Sequence, residues 1–275
     1  MTDWTVAEQQ AAAGIDVLGT QHPQLQAGRD AVRIVCLVPS ITEALFALGL
    51  GAFVVGRTGF CIHPAPIIRG TPKVGGTKDV NLEKIRRLAP THVIVNIDEN
   101  EKPVADALAA FVPHLVVTHP CHPQDNLALF RLLGALFGRQ RQAENLCQGL
   151  RARLAALAPV HQTQQVLYCI WRDPWMTVGP DTYISRMLAL IGWQCWQPPD
   201  AGQRRYPEFR LEQLQAQPPA RILLSSEPYR FQAADVQALA LQTGLPVQLV
   251  DGEMCSWYGS RALPGLAYLR QLAQG

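Results

Sequence analysis

The sequence predicts an α/β protein made of two Rossmann-like lobes, each with a mainly parallel sheet, bridged by one long α-helix. Three observations carry this expectation. Short aliphatic runs alternate with amphipathic stretches along most of the chain, the pattern of βαβ units that feed parallel strands. One pattern also occurs twice: "LEKIRRLAPTHVIVNIDEN" (82–100) and "LEQLQAQPPARILLSSEPY" (211–229). Each copy opens Leu-Glu, places a proline eight residues after that leucine (Pro90, Pro219), and runs three aliphatics into a loop carrying a glutamate (Glu99, Glu227). Between the copies, residues 127–157 hold no proline, and Leu129, Leu132, Leu133, Leu136 and Phe137 recur at helical spacing. That spacing predicts a single long helix, bent near Gly138.

The elements follow in order. Residues 1–31 are polar and Ala/Gln-rich, an N-terminal extension of helix and loop packed on the outside. The N-terminal lobe, 32–120, starts with the strand "RIVCLV" and the helix "PSITEALFALGLG", in which Ser40 and Glu43 have capping-box spacing and Gly49 suits the helix end. "FVVGRT" is a strand that runs into the loop "GFCIHPAP". "VGGTKDVNLEKIRRLAP" is a Gly-rich turn and a short helix. "THVIVN" is a strand, "DENEKP" a loop, 103–111 a helix and "HLVVT" a strand. The bridging helix occupies 121–158. The C-terminal lobe, 159–275, reads as strand "QVLYCIW", turn "RDPWMTVGPD", helix "TYISRMLALIGW", a loop, helix "RLEQLQAQ", strand "RILLSS", helix "AADVQALALQ", strand "PVQLVDG", and a last helix from about 263.

Composition excludes several classes of function. With 48% hydrophobic and 17% charged residues the chain is globular in type. A net charge of +2 without a long basic run gives no nucleic-acid footprint. No apolar run approaches the roughly 20 residues that span a bilayer, so membrane insertion is not expected. The N-terminus carries Asp3 and Glu8 where a secretory signal would be positive, and seven cysteines at irregular spacing do not form a disulfide framework. Both features predict the cytoplasm; a natural start further upstream would allow the periplasm instead.

Chemistry is expected in the loops that follow the strands, because ligands of open α/β sheets sit beyond the carboxyl ends. In the N-terminal lobe these loops hold Phe60, Cys61, His63, Gly76, Thr77, Asn96 and Glu99. In the C-terminal lobe they hold Trp171, Arg172, Trp175, Glu227, Tyr229, Glu253, Trp257, Tyr258 and Arg261. Aromatic bodies with a few polar tips suit a large, flat, partly apolar ligand. Cys61 and His63 offer a thiolate and an imidazole for a metal, though two residues make half a site. Arg172 and Arg261 can take a carboxylate or phosphate, or pair with Glu99, Glu227 or Glu253. No spacing argues for a nucleophile and its base, and "VGGTK" lacks the full phosphate-loop pattern.

The stretches "RIVCLVPSITEALFALGLGAFVVGRT" and "VGGTKDVNLEKIRRLAPTHVIV", followed by the long helix, resemble the helical-backbone (class III) substrate-binding proteins of ABC importers. The resemblance points to the branch that binds cobalamin and other metal chelates, and it covers roughly 32–272. It implies two lobes bridged by a rigid helix, little domain closure, and a metal-chelate ligand held between the lobes, with no catalysis. Contacts would come from the loops around Phe60 to His63, Gly76 and Thr77, Trp171 to Trp175, and Glu253 to Tyr258, and an ABC permease would be the partner. Thr77 and Asn96 stand where cobalamin binders of this type tend to carry aromatics, and Glu99, Glu227 and Glu253 make the expected cleft more acidic. Two other readings of the same loops are an intracellular metal-binding protein or enzyme of cofactor metabolism, and a haem or siderophore receptor with His63 or Tyr229 as axial ligand.

Overall fold

A computed structural model describes residues 4–25 and 28–274. The chain divides into two compact units. The first comprises residues up to Pro120, Gln124–Arg151 and Tyr258–Arg261; the second comprises Cys121–Pro123, Ala152–Trp257 and the chain from Ala262 onward.

The first unit contains α1 (Val6–Ala12), β1 (Ile34–Cys36), α2 (Pro39–Ala47), β2 (Val54–Arg57), α3 (Leu82–Leu88), β3 (His92–Asn96), α4 (Lys102–Ala109), β4 (His114–Thr118), α5 (Asp125–Leu136) and most of α6 (Gln140–Ala155). Its four strands pair in parallel in the order β2-β1-β3-β4. Val35, Leu37, Val93, Val95, Ile85 and Leu108 form its core. α1 is capped at both ends of a capping box: Thr5 Oγ1 accepts from the Glu8 N–H, and the Glu8 carboxylate accepts from the Thr5 N–H.

Two local expectations fail here. Ser40 does not cap α2: Val38 is the N-cap, and Pro39 takes the first helical position, where its missing N–H costs nothing. The partner of Glu43 is Arg261, far away in sequence. The run 127–157 is not one helix either. The Arg139 N–H bonds the Gly134 carbonyl at 2.7 Å and Gly138 has φ 65°, a Schellman stop that ends α5. α6 then folds back on α5, since Arg131 reaches Glu144 at 2.6 Å and the Cys147 thiol points at the Leu127 carbonyl at 3.6 Å. Residues that far apart on a straight helix would be some 20 to 30 Å apart.

The second unit contains β5 (Gln164–Cys169), β6 (Trp175–Met176), α7 (Tyr183–Ala189), β7 (Trp193–Cys195), β8 (Glu208–Phe209), β9 (Arg221–Ser225), α8 (Ala233–Thr243), β10 (Val247–Val250), α9 (Gly252–Ser256) and α10 (Ala262–Leu272). Four strands pair in parallel in the order β10-β9-β5-β7, and β6 pairs antiparallel with β8. Each four-stranded sheet therefore runs second, first, third, fourth in chain order. The twice-occurring sequence pattern ends in the third strand of each, β3 and β9. The helix expected over 182–193 stops at Ala189, and Trp193 begins β7; the "RLEQLQAQ" segment is a short 3-10 turn over Leu211–Gln215. α9 lies inside the segment expected to be a loop.

Candidate functional site

A sheet of this strand order reverses direction between its first and third strands, and the crevice beyond their carboxyl ends is where such sheets take ligands. In the second unit that crevice lies between β5 and β9. Their ends are tied by the Tyr168 hydroxyl and Ser225 Oγ at 3.0 Å, and the Tyr229 N–H bonds the Ile170 carbonyl at 3.2 Å. The loops leaving the two strands are thereby held together, and Trp171 and Tyr229 meet edge to face with ring centroids 5.6 Å apart. Trp171 keeps 40% of its surface exposed, although an indole is usually covered. Trp175 has a different role: it stacks on Phe231 at 5.8 Å and packs near Phe209, joining the core. Arg172 takes aspartates of its own unit as partners. Its guanidinium pairs with Asp235 at 2.6 Å and with Asp173 at 3.4 Å.

Glu227 is the hub below this aromatic pair. Its Oε1 accepts from Ser256 Oγ at 2.6 Å and from the Trp257 indole N–H at 2.8 Å, which fixes the end of α9. The helix can approach this closely only because residue 252 is glycine. A Cβ there would stand 2.4 Å from Ser225 Oγ and 2.6 Å from Glu227 Cγ. Burial pushes the Glu227 carboxyl above its ordinary pKa and the Glu253 charge adds to this, against the two donors. A carboxyl whose folded pKa is raised stabilises the protein at low pH, and that contribution is lost as pH rises through the raised value. Glu227→Gln is therefore expected to match or exceed the parent in urea stability at pH 8, with the difference shrinking by pH 5. A loss above about 1 kcal/mol at pH 8 that persists at pH 5 would contradict this account.

In the first unit the corresponding crevice lies between β1 and β3, and the chain itself fills it. Tyr258, 7% exposed, donates its hydroxyl to Glu99 in the loop after β3. Gly259 donates its N–H to Asn126 Oδ1 of α5, and Arg261 forks onto both oxygens of Glu43 at 2.6 and 2.8 Å. Burial and the Glu99 charge hold the Tyr258 phenol well above its ordinary pKa, so it remains a donor. Two exposed apolar groups of this unit follow strands of its sheet. Phe60 (63% exposed) follows β2 and would touch a Cβ added to Gly76 at 3.4 Å, and Ile97 (47%) follows β3. The loop carrying Phe60 and His63 is fastened underneath by Arg57, whose buried guanidinium donates to the Ile68 and Thr58 carbonyls.

Besides Trp175 and Tyr258, four further candidates are buried or held by other side chains. Cys61 is fully buried; Thr42 donates to its sulfur at 3.2 Å, the Thr58 hydroxyl lies at 3.1 Å, and burial pushes its thiol up, so it is a core residue and no open metal ligand. Among the described residues, no group of three or more metal-competent side chains contains Cys61 or His63. Asn96 is 2% exposed, with Oδ1 accepting the Asp98 N–H to shape the loop after β3. Trp257, at 8%, is held by Glu227, and Arg261 by Glu43. Thr77 contributes its carbonyl to Asn100, and Glu253 stands beside Glu227. Sequence reasoning did not anticipate the Arg261–Glu43 fork, because nothing local links positions so distant.

The periplasmic binding protein family model matches residues 34–244. The chain is 29% identical over 170 residues to an uncharacterized ABC transporter substrate-binding lipoprotein of Bacillus subtilis, a match covering 58% of this chain and 53% of that protein. It is 25% identical over 164 residues to a vitamin B12-binding protein of Photorhabdus laumondii, covering 58% of this chain and 59% of the relative. The chain thus spans somewhat over half the length of these relatives. Among solved structures, the periplasmic haem-binding protein of Roseiflexus superposes with a TM-score of 0.74 at 24% identity, covering 89% of this chain and all of the other.

Proposed function

Given that the chain belongs to the periplasmic binding protein family, we propose that it binds a corrinoid or other metal chelate, without chemical turnover, for uptake or handling of that ligand. The observation that carries this is the half-exposed Trp171 set against Tyr229 at the direction change of the second sheet. A flat macrocycle can lay one face on such a pair, and amide or hydroxyl groups at its edge find an acceptor in the loop of the same unit that carries Glu253. The vitamin B12-binding relative supports a corrinoid as the first ligand to try. In this reading the partner is an ABC permease, and cell fractionation should find the protein on the periplasmic side rather than in the cytoplasm. No described helix is long and apolar enough to cross a membrane.

The test is an absorbance and calorimetric titration of the full chain with cobalamin, cobinamide, haem and ferric siderophores at micromolar concentration. One chelate is expected to bind one to one. Trp171→Ala should weaken it by about tenfold, the loss of one aromatic stacking contact and its buried area. Saturable binding unchanged in Trp171→Ala would move the ligand elsewhere, and absence of binding to every chelate would discard the reading. A Soret shift with haem alone would assign the ligand to the haem class.

A further inference from the structure

A cavity lies in the first unit, where the N-terminal segment meets β4 and α5. Its volume is about 510 Å³, within the range of sites that hold small molecules. Ala11, Ile15, Val117, Leu129 and Leu132 give it apolar walls. At its mouth Val17 and Leu18 are 52% and 65% exposed, an apolar rim that a monomer has no packing reason to display. The walls are preformed: Asp16 ties the turn to β4 by accepting the Val117 N–H at 3.0 Å, and Glu8 ties α1 to Arg131 of α5 at 2.5 Å. The ionisable groups lining the cavity are Asp16, Asp125 and His119, the last paired with Asp98 at 3.3 Å; none is a lysine or arginine. Asp16 also accepts the Leu18 and Thr20 N–H groups and faces His22, and these donors, set against burial, keep it ionised. The cavity therefore combines apolar walls with a negative field.

We propose that this cavity is a second binding site, for a small apolar molecule bearing a positive charge: an amine on an aliphatic or aromatic body. The apolar body is taken up by the walls between α1 and α5, and the ammonium stays near Asp125 at the edge, where partial solvation spares it the cost of full burial. A carboxylate of the same length fits the volume and is repelled by the field.

Calorimetry on the full chain with decylammonium, decanol and decanoate, all below their micellar concentrations, tests this. One saturable site is expected for decylammonium, with decanoate at least tenfold weaker and decanol between them. Leu18→Lys places a cation on the exposed rim and should weaken decylammonium about tenfold while leaving the fold and any chelate binding intact. Ala128→Trp should fill the cavity and abolish uptake, and Asp125→Asn should remove the preference for the cation over decanol. Equal uptake of all three probes, or decylammonium affinity unchanged in both Leu18→Lys and Ala128→Trp, overturns the proposal. A dimer in sedimentation that Ala128→Trp dissociates would overturn it as well, by giving the cavity to a second copy of the chain.

Discussion

Arg131→Met is expected to cost the protein about 3 kcal/mol or more of folding stability at pH 7, the effect of removing one partner from a buried ion pair. The side chain of Arg131 is 2% exposed and that of Glu8 5%. The guanidinium sits 2.5 Å from Glu8 on one side and 2.6 Å from Glu144 on the other, with the Trp4 ring stacked over it at 4.1 Å. Glu8 has a second cation, Arg151 at 3.0 Å, but that residue is a third exposed and so more strongly screened. Without Arg131 a buried carboxylate would keep only its Thr5 N–H and the partly exposed Arg151. The double change Glu8→Leu with Arg131→Met should recover part of the loss, because no orphaned charge remains at that end. Urea unfolding of the three proteins, with limited proteolysis of residues 13–25 as a local readout, checks both statements. A loss under 1 kcal/mol in the single variant would show that α1 is only loosely attached. The consequence reaches the inferred amine site, whose outer wall is α1 itself.

The parallel sheets were legible in the sequence for a specific reason. A strand buried on both faces reads as a near-continuous apolar run, and "RIVCLV", "THVIVN", "QVLYCIW" and "RILLSS" each hold one. The repeated Leu-Glu-to-proline pattern went further and marked the third strand of each sheet. What failed was decided by contacts that local sequence does not encode. β7 is only three residues long and follows a helix whose apolar period runs straight into it, so Trp193 reads as helix. The helical period likewise continues across Gly138, and the left-handed Gly138 together with the bond from Arg139 to Gly134 ends α5. Trp171 and Trp257 look alike in sequence, two tryptophans in loops beyond strands. One is 40% exposed and the other 8%, because α9 packs the second against Glu227. The loops beyond the strands were thus readable, while the direction of each side chain within them was not.

The other large effect should appear on acidification. His92 begins β3, opposite His114 at the start of β4, with ring centroids 4.8 Å apart; His22 stands 6.2 Å from His114, and Phe137 closes the other side of His92 at 4.9 Å. His92 is fully buried. Its Nδ1 meets the Thr91 hydroxyl at 2.9 Å, and its Nε2 has no hydrogen-bond partner among the described residues. Burial first, then the neighbouring His114 and His22, push its pKa down to about 3. The unfolded chain takes up this proton near pH 6.5, so below that value it binds more protons than the folded protein and stability falls as pH falls. By pH 5 the loss from this one group is about 2 kcal/mol, and it continues to grow until pH approaches 3. His114, whose pKa burial and His22 also lower, acts in the same direction. Asp16 and Glu8 have lowered carboxyl pKa values, and their contributions are lost only at lower pH, below the ordinary carboxylate range, which separates them from the histidines. His92→Leu keeps an apolar body beside Phe137 and deletes the unpaired nitrogen, so at pH 7 its urea midpoint should change little. Between pH 6.5 and pH 5 the parent should lose about 2 kcal/mol more than this variant. Parallel pH profiles for the two proteins would mean that His92 keeps its proton in the folded state, and that its ring is solvated in a way its burial between β3, β4 and Phe137 does not allow.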